Sequence, residues 1–74
     1  MQTKFFYYRK VRYNMTLKEV SNRTGIPLAS IIKYDNGEVL IENASYKRVK
    51  LLSQLFNCST DDLIGYIEYG QQKF

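Results

Sequence analysis

Between Leu17 and Asn36, apolar or near-apolar side chains fall at Val20, Thr24, Ile26, Ile31 and Tyr34, with a small residue at Ser21 and a glycine at Gly25. This pattern predicts two short helices that cross at a sharp angle about a tight turn and behave as one rigid unit. The first of the pair is signalled by a capping box. Thr16 accepts from a backbone amide inside the helix, and Glu19 reaches back to the cap. That helix ends near Arg23. Gly25 supplies the positive φ of the turn, and Pro27, whose φ is already set for a helix and which has no N–H to orphan, is expected at the first position of the second helix. The second helix runs to about Asp35, where Asn36 and Gly37 stop it. Ser21 is small where the two helices approach.

The flanking pattern is also helical. A first helix is expected over about 4–13, with Phe6, Lys10 and Tyr13 on one stripe and Phe5, Arg9 and Arg12 on another. Asn14 tolerates the left-handed conformation that ends it. Residues 38–44 read as a loop anchored by Val39, Leu40 and Ile41. Ser45 then caps a helix reaching about Phe56, with Tyr46, Val49, Leu52 and Phe56 on its buried face, and Asn57 ends it. Ser59 caps a fifth helix, where Asp61 and Asp62 suit the helix dipole and Leu63, Ile64 and Ile67 form the buried side. No strand alternation or internal repeat competes. The expectation is an all-α fold of five short helices in a single domain, with a core at about 4–65 and residues 66–74 as a C-terminal tail.

Seventy-four residues hold one core and hide only about 60% of the unfolded surface. The 45% apolar content is that of a globular chain. No apolar run approaches the ~20 residues that cross a bilayer, so no membrane association and a cytoplasmic location are expected. Cys58 is the one cysteine and there is no histidine, which argues against a zinc site and removes the usual acid–base residue of hydrolases. Asp61 and Asp62 are accounted for by helix capping, and no nucleophile with an attendant base is visible. The expectation is a protein that is not an enzyme and needs no cofactor. Cys58 reads as a small apolar side chain rather than a reactive thiol.

Net charge is +4, but it is unevenly spread. Residues 1–33 hold seven Lys and Arg against one acid, a net +6, whereas residues 34–74 hold four against six, a net −2. Such a field suits a polyanion approaching one side; a solvated basic face with no partner is the alternative. The helix-turn-helix unit has as its commonest use the placing of its second helix in the DNA major groove.

At this point TLKEVS at 16–21, Gly25 with Ile26, IIKYDNG at 31–37 and the later run LLSQLFNCSTDDLI resemble, in order and spacing, the phage repressor and Cro-like helix-turn-helix proteins of the XRE family. The resemblance spans about Phe6 to Ile64 and implies a compact lambda-repressor-like domain. It also implies an ion pair from the first helix to the end of the third, at Lys10 and Asp35, where the family commonly has arginine and glutamate. By the same resemblance, base edges are met by Pro27, Leu28, Ala29 and Lys33, with Ser30 and Asn36 toward phosphates. Leu17 occupies a place where the family often has a phosphate-binding glutamine. Backbone amides near Thr16 and Leu17, together with Lys33, Asn36 and the loop around Asn43, complete the expected phosphate contacts.

The recognition surface departs from the family. Only Lys33 can read a base by hydrogen bonds in the way Arg or Lys reads guanine, whereas Leu28, Ala29 and Ile32 can meet thymine methyl groups. Three roles fit this apolar surface: reading of a T-rich site, a protein-binding face, or cover by another part of the chain. The leading expectation is a small sequence-specific DNA-binding transcriptional regulator, a repressor or control protein of a phage, plasmid or mobile element. The alternative is a protein–protein interaction module, adaptor or antitoxin-like. A homodimer is expected from half-site geometry. Tyr66, Ile67, Tyr69 and Phe74 in the tail serve either as its contact or as packing on the protomer's own core. For Tyr7, Tyr8, Tyr13, Tyr34 and Tyr46, burial explains the aromatic content better than stacking on single-stranded bases.

Overall fold

The computed structural model describes residues 2–67. Strand β1 (Gln2–Thr3) leads into α1 (Lys4–Phe6), which passes without a break into a π-helical stretch at Tyr7–Arg12. Then follow α2 (Leu17–Thr24), α3 (Leu28–Asn36), a 3-10 turn at Ile41–Asn43, α4 (Tyr46–Leu55), a second 3-10 turn at Asp61–Leu63, and β2 (Tyr66–Ile67). The helical architecture follows the expectation, although only four of the five predicted helices form.

The core is built where the apolar pattern put it. Phe5, Val20, Ile26, Ile31, Tyr34, Ile41, Val49, Leu52, Phe56 and Leu63 are buried. Phe56, at the end of α4, is the aromatic hub. Phe5 meets its ring edge-on at 5.7 Å, while Tyr8 and Tyr13 stack on it at 6.0 Å each. The Tyr13 hydroxyl also donates to the Phe56 carbonyl at 2.9 Å, so this ring is spent on the fold even though its edge is exposed.

Five local expectations are corrected. The first helix is not regular: beyond Phe6 its turns close five residues back, as in Tyr13 N–H to the Tyr8 carbonyl at 3.1 Å; of its two stripes, the one carrying Phe5 and Arg9 faces inward, while Arg12 is exposed. The fifth helix stops after one 3-10 turn. Ser59 and Asp62 do cap each other reciprocally, at 3.2 Å in both directions, but the backbone is already extended at Ile64 (φ −85°, ψ 133°).

Third, a two-stranded sheet forms where no strand was expected. The chain beyond Ile64 pairs antiparallel with β1, Gln2 opposite Ile67 and Thr3 opposite Tyr66. Ile67 is therefore a half-buried strand residue rather than part of a helix face. Two-residue strands are too short to leave an alternation in the sequence. Fourth, Tyr46 is 73% exposed; it lies in the first turn of α4, one turn before the core begins at Val49. Fifth, Pro27 precedes α3 as its cap (φ −54°, ψ 140°) instead of occupying the first helical position. Its carbonyl accepts from Ile31 N–H at 3.1 Å, the first helical bond.

Of the tail residues, Tyr66 and Ile67 pack on the protomer's own N-terminal strand, and Tyr69 and Phe74 lie outside the described residues. No helix among the described residues is long and apolar enough to cross a membrane.

Candidate nucleic-acid interface

The crossing of α2 and α3 is fixed by side chains at the turn. The capping box forms as predicted: Glu19 N–H donates to Thr16 Oγ1 and Thr16 N–H to the Glu19 carboxylate, each at 3.0 Å. These bonds hold the Glu19 carboxyl below its usual pKa. At the other end of α2, Gly25 adopts φ +77°, the left-handed cap that lets the chain reverse. Ser21 does more than stay small, since its hydroxyl donates across the turn to the Ile26 carbonyl at 2.6 Å. Thr24 ties the same turn by accepting from Ile26 N–H at 3.2 Å and donating to the Val20 carbonyl at 2.8 Å.

The far end of α3 is clamped by a buried ion pair. Arg9 Nε donates to Asp35 Oδ1 at 2.7 Å and a second guanidinium nitrogen donates to Oδ2 at 3.2 Å. A third bond goes from the guanidinium to the Met15 carbonyl at 2.7 Å. The predicted partner, Lys10, is exposed; the residue before it, on the inward stripe with Phe5, meets Asp35 instead. The correction restores the two-pronged bond that a lysine cannot make. Thr3 adds a tie from β1, donating to the Asp35 carbonyl at 2.9 Å.

Between these clamps, α3 shows a continuous exposed face of Leu28, Ala29, Ile32, Lys33 and Asn36, with Leu28 40% and Ile32 41% exposed. Among the described residues, none covers this apolar surface. Pro27 is exposed beside it, Thr16 is exposed at the start of α2, and Asn43 is exposed in the 3-10 turn. Leu17 is half-buried and packs against the core, so its side chain is partly committed to the fold. Ser30 is half-buried, and its hydroxyl accepts from Arg48 at 3.1 Å. Asn36 uses Oδ1 to accept from Glu38 N–H at 2.8 Å, which closes the turn after the helix.

Arg48 was missed by sequence reasoning. From the first turn of α4 its guanidinium donates to both Ser30 Oγ and Tyr34 Oη at 3.1 Å, bracing the buried side of α3. Its only sequence signal is its position three residues after the Ser45 cap. A cleft of about 240 Å³ lies beside this brace, lined by Gly25, Pro27, Ser45, Lys47 and Arg48 among others. Two cations thus stand next to the entry of α3.

The arrangement is a rigid helix that offers one face to a partner, with cations at its start and Lys33 on the face itself. A helix-turn-helix family model matches residues 6–63. No curated protein and no solved structure matches the chain. With that match covering most of its length, the chain belongs to the Cro/C1-type (XRE) helix-turn-helix family of DNA-binding transcriptional regulators.

Proposed function

We propose that this protein is a single-domain, sequence-specific repressor or control protein of a phage, plasmid or mobile element, acting in the cytoplasm by laying α3 in the major groove of its operator. The observation that carries this reading is the outward leading turn of α3, Leu28 and Ala29, held between the Gly25 turn and the Arg9–Asp35 clamp. A rigid, exposed helix of this kind enters a groove without first having to be ordered. Pro27, Leu28, Ala29 and Lys33 face the bases. The Leu17 amide and the Thr16 hydroxyl, whose own amide is held by Glu19, together with Ser30, Asn36 and Asn43, lie toward phosphates, where they set register rather than sequence. One such helix covers half a site, so the protein acts as a homodimer on a palindrome.

Selection of duplexes from a random pool at two salt concentrations tests this reading. Truncating Lys33 to alanine weakens the selected complex by about 1–3 kcal/mol if it reads guanine, or lowers the salt slope by about one if it meets phosphate. An unchanged affinity together with an unchanged slope removes Lys33 from the interface.

The exposed Leu28 and Ile32 also favour a second reading, an adaptor or antitoxin-like module that binds a protein on the same face. That module would retard no duplex at any salt concentration, and Leu28→Asp would abolish its protein complex.

A further inference from the structure

We infer that α3 recognises its site through the 5-methyl groups of thymine, with Leu28, Ala29 and Ile32 as the reading residues and Lys33 fixing one neighbouring acceptor. The inference rests on the DNA-binding reading above and goes one step further, to the chemistry of the bases selected.

Adenine and cytosine present an amino group in the major groove, which needs an acceptor from the protein. The first two turns of α3 have none to give. Leu28, Ala29 and Ile32 carry only hydrocarbon; Pro27 has no N–H, and its carbonyl accepts from Ile31 and Ser30 at 3.1 and 3.0 Å. The Ser30 hydroxyl faces Arg48, and the Asn36 side-chain oxygen, Oδ1, accepts from Glu38 N–H. Lys33 is exposed and brings donors only.

Of the groups displayed in the groove, the thymine methyl is the one that gains from contact with such a surface, and guanine N7 and O6 are those that suit Lys33. Leu28 and Ile32, like Ala29 and Lys33, are one turn apart, a rise of about 6 Å. At about 3.4 Å per base step, that reach corresponds to a run of two or three thymines beside one guanine. A polyanion is the favoured occupant of this apolar face because Lys33 stands on the face itself, Lys47 lines the cleft that reaches Pro27, and residues 1–33 carry a net +6.

The test replaces thymine by deoxyuridine, one position at a time, in the duplex selected by the full chain, with affinity read by fluorescence anisotropy. Uracil keeps the pairing and the O4 acceptor and loses only the methyl. Each replacement under α3 is expected to weaken binding about fourfold, the equivalent of one methyl-sized group withdrawn from contact, and replacements outside that run are expected to change nothing. The doubly truncated variant Leu28→Ala with Ile32→Ala is expected to lose most of the preference for thymine over uracil while its circular dichroism stays native, because both side chains are exposed. Equal affinity for thymine and uracil at every position, or a selected site without thymines, overturns this inference and leaves the DNA-binding reading standing. Retention of no duplex even at low salt overturns both.

Discussion

Removing the Asp35 carboxylate is the perturbation that most sharply probes how α3 is held. The Arg9 and Asp35 side chains are 8% and 13% exposed, and the carboxylate takes two of the three guanidinium hydrogen bonds, leaving the Met15 carbonyl as the remaining partner. Asp35→Ala therefore strands a nearly buried cation, a change that costs about 3–5 kcal/mol. Stability scales as roughly 0.05–0.15 kcal/mol per residue, or about 4–11 kcal/mol for a chain of this length. The variant should lose a large share of its stability and approach unfolding at room temperature. Urea melts followed by circular dichroism, with Lys10→Ala as a control, give the comparison; the control should stay within about 0.5 kcal/mol. If Asp35→Ala proves too unstable to measure, the double variant Arg9→Met with Asp35→Leu supplies the readout. Replacing both charges with apolar groups of similar size should recover most of the loss. A cost below about 1 kcal/mol for Asp35→Ala, the value of an exposed pair, would refute the clamp. So would an equal loss for Lys10→Ala.

Further outcomes follow from the same geometry. Gly25 and Gly37 cap successive helices at nearly the same positive φ, +77° and +81°. A Cβ at Gly25 meets open space, whereas one at Gly37 lies 3.0 Å from the Tyr66 hydroxyl and 3.4 Å from Thr3 Cγ2. Gly25→Ala should cost the left-handed penalty alone, about 1–2 kcal/mol, and Gly37→Ala more. Thermal melts showing equal losses would mean that Tyr66 does not sit against the end of α3. At Cys58, burial first and the Asp62 carboxylate second push the thiol above its ordinary pKa. A raised pKa leaves less thiolate at a given pH, so alkylation by iodoacetamide at about pH 8.5, the pKa of an unperturbed thiol, should be slower in the native protein than in urea. Equal rates would contradict this environment.

How much of this was legible in the sequence depends on the range of the forces involved. The helix-turn-helix was readable because its determinants are local: the Thr16 cap, the Gly25 turn, and the apolar spacing of Val20, Ile26, Ile31 and Tyr34, all of which are buried. The π-helical stretch was not, since no composition signal marks a turn closed over five residues; the partner of Asp35, which the resemblance put at Lys10, is the preceding residue, Arg9. The β1–β2 pair joins residues more than 60 positions apart through two-residue strands, and it exists because tertiary packing brings the two ends together rather than because either end favours a strand. Arg48 belongs to the same class. Its value lies in reaching Ser30 and Tyr34 across the crossing of α4 and α3, a contact that spacing along one helix does not disclose. For the candidate interface, the sequence supplied the residue types and the resemblance supplied the register. The structure adds exposure, the Ser30 and Asn36 engagements, and the cations at the entry to α3.

Contact between the outward face of α3 and duplex DNA is open to direct measurement. Amide chemical shifts of the isotope-labelled full chain, followed during titration with a selected duplex, address it residue by residue. The predicted result is that the largest changes fall on Leu28, Ala29, Ile32 and Lys33, with a second group at Thr16 and Leu17 where α2 begins. Changes confined instead to exposed residues elsewhere, such as Val11 or Tyr66, with α3 silent, would contradict it.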